Sequence, residues 1–163
     1  MVKHFHSYKE LSNAYFTIEG DRRHLEDVKD FFASFGNPVR LIGAEDKVKY
    51  HCAAAICSNQ VIALIEESLM LLGECGFDED SALAALRPLI AGNVNKVLEN
   101  GCVNSLTGPV ERGDAQTVRK HLSCLSDSDR KLYALLSGKL LTVAARKNPG
   151  RDYGELKALL SEV

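Results

Sequence analysis

The chain has 163 residues, enough for one domain of ordinary size with a buried core, and its 45% apolar and 26% charged residues are typical of globular proteins. Its net charge of -2, without a basic run that contains aromatic residues, argues against a nucleic-acid partner. No secretory signal opens the sequence, and the most apolar stretch, residues 61–72, is too short to span a bilayer. We therefore expect a cytoplasmic protein that binds neither nucleic acid nor a membrane.

The cysteines and histidines do not predict a metal site or a disulfide framework. Five cysteines are an odd number, and no two of them form a Cys-x-x-Cys pair. Most have apolar neighbours, where a free cysteine behaves as a small hydrophobic residue. His4 and His6 are two residues apart, but no third ligand has the spacing of a metal site. We expect no bound metal.

Residues 1–43 predict a strand–helix–strand unit of α/β type. Residues 14–18 are β-branched and aromatic, residues 22–35 carry apolar side chains at helical spacing, and residues 38–42 form a second candidate strand. Gly36 is placed to end the helix. Two strands make a poor sheet by themselves, so we expect this unit to be the end of a larger α/β domain.

Residues 44–163 are helical in pattern throughout, which predicts a mainly α fold. The first of these helices is apolar nearly all round and is expected to be a buried central element. Pro88 is expected to kink or divide the second helix. Asp78 or Asp80, Asp114 and Ser126 can act as N-caps. The predicted helices cover residues 45–73, about 78–99, 114–124, 126–147 and 152–161.

Polar residues form a stripe at the start of the first long helix. At 100° per residue, Lys47, His51 and Ser58 lie within about 60° of arc, with Tyr50 and Asn59 on its flanks. A lysine can donate a hydrogen bond or a proton to a substrate carbonyl oxygen, and a histidine can exchange a proton near neutral pH. The alternative is a solvated first-turn lysine beside a core histidine whose ring is already hydrogen-bonded.

The segment 106–114, Leu-Thr-Gly-Pro-Val-Glu-Arg-Gly-Asp, is a second candidate site. Its glycines and proline fix an unusual backbone path into a helix whose free N–H groups favour an anion, and Arg112 adds further donors. The alternative is an ordinary connection between helices with Asp114 as the N-cap. Glu66 and Glu67 are adjacent and point about 100° apart, so they do not form a catalytic pair. Two glycine-rich motifs bind phosphate groups of nucleotides, G-x-G-x-x-G and G-x-x-x-x-G-K-[ST], and the sequence contains neither.

The two motifs together resemble the DUF2520 family. The first is Tyr50-His-Cys-Ala-Ala-Ala-Ile-Cys-Ser-Asn59, and the second, about fifty residues later, is the segment 106–114. Residues 16–21 are similar to the last part of the family's Rossmann domain. The resemblance implies a multi-helix domain similar to the 6-phosphogluconate dehydrogenase C-terminal domain over residues 44–163, preceded by a β-α-β remnant of a Rossmann domain over residues 1–43.

The resemblance also implies an NAD(P)-dependent oxidoreductase of unassigned substrate. Lys47 and Asn59 match residues beside the hydride-transfer site of related dehydrogenases, and His51 is assigned to proton transfer or substrate orientation. The remaining matched residues are assigned to binding of a small-molecule substrate. They are Tyr50, Ser58, Thr107, Gly108, Arg112 and Asp114.

The domain that would bind NAD or NADP is expected to lie outside this sequence, so we expect this chain to be inactive by itself. It would then be a shortened chain, the product of a split gene or a degenerate relative, or a separate Rossmann protein would complete the site. The competing class is a non-catalytic helical module that binds a partner or a small ligand. Related helical domains pair through their long helices, which implies a homodimer.

Overall fold

The computed structural model describes residues 14–163, which form a mainly α-helical chain with a two-stranded parallel sheet at the N-terminal end. This confirms the predicted fold class. His4 and His6 lie outside the described residues. The chain divides into two compact units, the first ending at Phe77 and the second running from Asp78 to Val163. The long helix belongs to the first unit, and the domain boundary predicted after residue 43 stays a prediction.

The first unit begins with the predicted strand–helix–strand arrangement. Its elements are β1 (Phe16–Ile18), α1 (Arg22–Ser34) and β2 (Val39–Leu41). The strands are parallel, with Phe16 opposite Val39, and the Phe16 ring stacks on Phe32 with ring centroids 4.4 Å apart. The Asp21 carboxylate caps α1, and Gly36, at a φ of 84°, follows its end as the sequence predicts.

The long helix α2 spans Ala44–Glu74 and is not uniform. A 3-10 turn, Ala44–Asp46, opens it, and two α-helical segments, Lys47–Ala55 and Val61–Glu74, flank a π-helical turn, Ile56–Gln60. Sequence periodicity predicts the length of α2 but not this wider turn. Its predicted burial is wrong for the described chain, because the apolar side chains of α2 are largely exposed and Met70 is 62% exposed.

By length and composition alone, α2 could cross a membrane, since one 18-residue window has a mean hydropathy of 1.4. The apolar stretch 61–72 alone predicts too short a length for the apolar helix, which spans Ala44–Glu74. An apolar helix that packs against a protein partner satisfies the same test, so the predicted absence of a membrane partner stays a prediction.

The second unit is built from helices with recognisable caps. Asp78, Asp114 and Ser126 each accept a hydrogen bond from a backbone N–H in the first turn, as an N-cap does. The helices are α3 (Glu79–Ser105), α4 (Pro109–Arg112), α5 (Ala115–Cys124), α6 (Asp127–Lys147) and α7 (Gly154–Ser161).

Helix α3 is interrupted at Gly101 and not at Pro88. The backbone stays helical through Pro88, while Gly101 has a φ of 73° and a ψ of 167°. A proline within a helix removes one hydrogen bond, and the remaining bonds of a long helix can hold its path. A positive φ with extended ψ is accessible chiefly to glycine, so the interruption falls where the side chain is absent.

The apolar core of the second unit lies between α4, α5, α6 and α7. Its buried members include Val118, Leu141, Ala144 and Leu156. The prediction that most cysteines pack as small hydrophobic residues is wrong, because all five are exposed thiols. Within residues 14–163, no group of three or more His, Cys, Asp and Glu side chains is placed to hold a metal ion.

Candidate functional site

The polar stripe on α2 begins with an ion pair. Lys47 Nζ donates to Glu19 Oε2 at 2.8 Å, which ties the first turn of the long helix to the end of β1. The hydrogen bond to Glu19, and then the charge of Glu19, raise the pKa of Lys47. Lys47 is therefore a firmly protonated ammonium group, better suited to stabilise negative charge on an oxygen than to release its own proton.

The next turn of the stripe is open to solvent. Tyr50 and His51 are exposed, and His51 lies one helical turn after Lys47 on the same face. The alternative that His51 is a core histidine is therefore wrong. The other alternative, a solvated lysine, describes Lys47 only in part, because its side chain is 68% exposed but also paired with Glu19. A ligand on this face can reach both the lysine and the histidine.

The π-helical turn contains the last two residues of the first motif. Ser58 Oγ lies 2.7 Å from the Ala54 carbonyl oxygen and 2.9 Å from Asn59 Oδ1. Turns of this kind shift side chains off the regular helical positions and are frequent at functional sites. The Ser58 hydroxyl has one hydrogen, which it donates to Ala54, and the reversed orientation of the Asn59 amide lets its nitrogen donate to Ser58. This turn fixes the place of Asn59 beside Ser58.

The second motif forms a sharp turn around α4. Gly108 has a φ of 101° and Gly113 a φ of 76°, so both occupy backbone regions that side chains disfavour. Pro109 occupies the first helical position, where its missing N–H costs nothing. Asp114 Oδ1 accepts from Thr117 N at 3.0 Å. The hydrogen bonds from the backbone and the side chain of Thr117 lower the pKa of Asp114. The predicted alternative, an N-cap, therefore describes Asp114.

Glu111 holds this turn against the end of α6, a contact that sequence reasoning missed. Its Oε1 accepts from Asn148 Nδ2 at 2.7 Å and from Arg151 Nη1 at 3.2 Å, while its carbonyl accepts from the Tyr153 hydroxyl at 2.7 Å. The hydrogen bond from Asn148 is the largest cause that lowers the pKa of Glu111. The segment Asn-Pro-Gly-Arg-Asp-Tyr at 148–153 could have signalled it, because three of its side chains bond to Glu111.

The other residues of the second motif that are assigned to substrate binding are open to solvent at least in part. Thr107 is exposed, Gly108 is partly exposed, and Arg112 is 58% exposed, with its Nη2 3.9 Å from Asp114 Oδ2. The motif is thus divided between a structural half, Glu111 and Asp114, and an open half that a ligand can contact. The first motif lies in the first unit and the second in the other, so their meeting in one pocket stays a prediction.

The turn between β1 and α1 does not fit a dinucleotide. In Rossmann domains the first strand–helix turn is glycine-rich and places a pyrophosphate at the helix N-terminus. Here it is Glu19-Gly20-Asp21, and the Asp21 carboxylate takes the position at the helix N-terminus, accepting from Arg23 N at 3.0 Å. A second negative charge there would be repelled. This turn is therefore not a phosphate site.

Two crystal structures resemble this chain. Protein TM1727 from Thermotoga maritima is 31% identical, with a TM-score of 0.73 over 86% of this chain and 57% of that protein. The putative NADP oxidoreductase BF3122 from Bacteroides fragilis is 25% identical, with a TM-score of 0.57 over 76% of this chain and 47% of that protein. The chain thus spans about half the length of each. Among proteins of curated function, none matches significantly.

The sequence profile of the domain of unknown function DUF2520 matches residues 14–140. The match includes β1, the long helix and both motifs, and it confirms the resemblance that these motifs indicate. The chain belongs to the DUF2520 family.

Proposed function

We propose that this chain supplies the helical substrate-binding and dimerisation part of an NAD(P)-dependent oxidoreductase whose cofactor is held by residues outside those described. The observation that carries the proposal is the exposed polar face of α2, which contains the Lys47 ammonium group and the π-helical turn with Asn59. The membership of the chain in the DUF2520 family supports it. The similarity to the Bacteroides fragilis protein supports the assignment to nicotinamide chemistry.

The residues suggest distinct roles for the polar face. Lys47 would donate to a substrate carbonyl oxygen and stabilise the charge that develops on it during hydride transfer, exchanging Glu19 for the substrate. His51, one turn later, would move a proton or orient the substrate, and Asn59 would donate from its amide. Tyr50 and Ser58, with the exposed Thr107 and Arg112, would contact the remainder of the substrate.

The exposed apolar surface of α2 supports a homodimer. A helix of 31 residues is about 46 Å long, and its exposed apolar side chains include Val48, Ile62 and Met70. Burial of such a surface is favourable, and stable interfaces bury about 1,200–2,000 Å² in total. Sedimentation velocity at micromolar concentration is expected to show a dimer, and a monomer throughout would contradict this part of the proposal.

A chimera tests the chemistry. We would join the portion of the Bacteroides fragilis protein that this chain does not span to residues 14–163 and follow NADPH binding and its oxidation by small carbonyl compounds. We expect the chimera to bind NADPH and the present chain to bind it weakly or not at all. Lys47→Ala and Asn59→Ala should each lower kcat by about 10²-fold or more. Lys49→Ala and Gln60→Ala are the matched controls, because these neighbours lie outside the stripe.

The competing proposal is a non-catalytic module that keeps the fold and binds a partner or small ligand. The structural use of Asp114 and Glu111 favours it for the second motif, since both carboxylates serve the turn itself. Full turnover of the Lys47→Ala and Asn59→Ala chimeras would remove the proposed roles of these residues. Tight NADPH binding by the present chain alone would contradict the absence of a cofactor site from the described residues.

A further inference from the structure

An open groove of about 790 Å³ lies between α6 and α7 of the second unit. Leu135, Leu141 and Leu160 contribute to its apolar lining, and Lys131, Lys139 and Lys157 also border it. Among the described residues, none of these three lysines forms an ion pair. An apolar surface with unpaired positive charges fits an occupant that is apolar and acidic.

The charges beside the groove have a regular spacing. Lys131, Leu135 and Lys139 are four residues apart on α6, so they follow one face of that helix, with the Cα atoms of the two lysines about 12 Å apart along its axis. Leu135 between them is 72% exposed. We call these three residues the lysine stripe.

The exposed part of α2 carries the same pattern with the opposite charge. Glu66, Met70 and Glu74 are also four residues apart, and Met70 is as exposed as a surface residue although it is apolar. Within residues 14–163, neither Glu66 nor Glu74 forms an ion pair. We call these three residues the glutamate stripe. It is an acidic and apolar surface, of the kind that the lining of the groove favours.

We infer that the glutamate stripe of one copy docks along the lysine stripe of a second copy. The two charges of each stripe have equal spacing, so the pairs form whether the helices run parallel or antiparallel, and Met70 meets Leu135 between them. In a two-fold symmetric dimer this contact occurs twice. The charges set register and partner choice while the apolar groups contribute most of the affinity. This inference rests on the proposed homodimer.

Charge reversal tests the contact on the whole chain. The variants E66K/E74K and K131E/K139E each place like charges opposite each other in both contacts of a homodimer. Each variant alone should therefore shift to monomer, with a dimer dissociation constant at least tenfold weaker than that of the wild type in sedimentation equilibrium at low salt. An equimolar mixture of the two variants should restore dimers, because both contacts of a heterodimer again pair opposite charges. The solutions contain reductant, because all five cysteines are exposed.

Control variants of equal charge change are E99K/E162K and R87E/K96E, which alter exposed residues outside both stripes. They should dimerise as the wild type does, and circular dichroism should show that every variant is folded. A monomeric wild type would contradict the homodimer itself. Dimers that persist in both stripe variants would leave the homodimer standing and overturn this contact. Failure of the mixture to restore dimers, or dissociation of the controls, would overturn it as well.

Discussion

At the scale of single residues, Glu111 joins the second motif to the segment that follows α6, through Asn148 and Arg151. Its pKa is lowered chiefly by the hydrogen bond from Asn148, so its contribution to stability is complete above the pKa of an unfolded glutamate, about 4.3. That contribution is lost as the pH falls through the lower pKa of the folded state. We expect Glu111→Gln to lower Tm at neutral pH and to flatten the decline of Tm below about pH 4.

Thermal unfolding followed by circular dichroism between acid and neutral pH checks this expectation. Glu155→Gln is the matched control, because Glu155 is largely exposed and its contact with Arg119 is a long one at 3.4 Å. That control should follow the wild type across the whole range. An acid decline as steep in Glu111→Gln as in the wild type would show that Glu111 does not titrate with unfolding.

Two charged residues of the second motif should respond differently to removal. Asp114 caps α5, so Asp114→Ala should lower Tm by a few degrees, while Asp114→Asn keeps an acceptor for Thr117 and should lower it less. Arg112 is mostly exposed and its contact with Asp114 is 3.9 Å, so Arg112→Ala should change the free energy of unfolding by less than about 0.5 kcal/mol. Differential scanning calorimetry distinguishes them. Equal losses for Arg112→Ala and Asp114→Ala would contradict the division of this motif.

At the scale of elements, the π-helical turn of α2 can be removed without changing the register of the helix beyond it. Such a turn amounts to one residue inserted into an α-helix. Deletion of Cys57 should therefore give a regular helix with the same apolar face, unchanged dimerisation and a displaced Asn59. Deletion of Leu64 from the regular segment should rotate the following residues by about 100° and weaken the proposed dimer.

Circular dichroism and sedimentation velocity provide the measurements for this pair of deletions. In the chimera, the Cys57 deletion should also lose activity while it keeps its fold. If both deletions lost dimers to the same extent, the π-helical turn would not be equivalent to one residue inserted into a regular helix.

The elements also show what a sequence can predict. Capped boundaries are local, since Asp114 and Ser126 bond to the backbone three residues away, and the helices after them begin where predicted. The wider turn at Ile56–Gln60 has no such local signal, because none of its residues marks a change in hydrogen-bond register. The contact of Glu111 with Asn148 joins residues 37 positions apart, a partnership that only the folded chain defines.

At the scale of the whole molecule, the sequence predicts the apolar character of α2 but not its exposure. An apolar helix signals that it will be covered, and the pattern does not state whether the cover comes from the same chain or from a second one. The exposure of α2 supports a binding role for the polar stripe, because Lys47 and His51 remain accessible to a ligand. The lysine and glutamate stripes can be identified in the sequence by their spacing, but only the structure shows that the lysine stripe borders a groove.

The two units should differ in their ability to fold alone. Among residues 14–163, the buried apolar side chains all lie in the second unit, whose 86 residues, from Asp78 to Val163, exceed the size at which small domains become stable. The described part of the first unit buries Asn37 but no apolar side chain to the same degree.

We therefore expect residues 78–163 to give a helical protein with a cooperative thermal transition. Residues 14–77 alone should show little helix and no cooperative transition, since a helix without tertiary contacts is marginal. Leu141→Ala, which opens a cavity in the core, should lower the Tm of the second unit, whereas Leu135→Ala on its surface should not. A cooperative transition in residues 14–77 alone would show that the long helix does not depend on a cover from elsewhere.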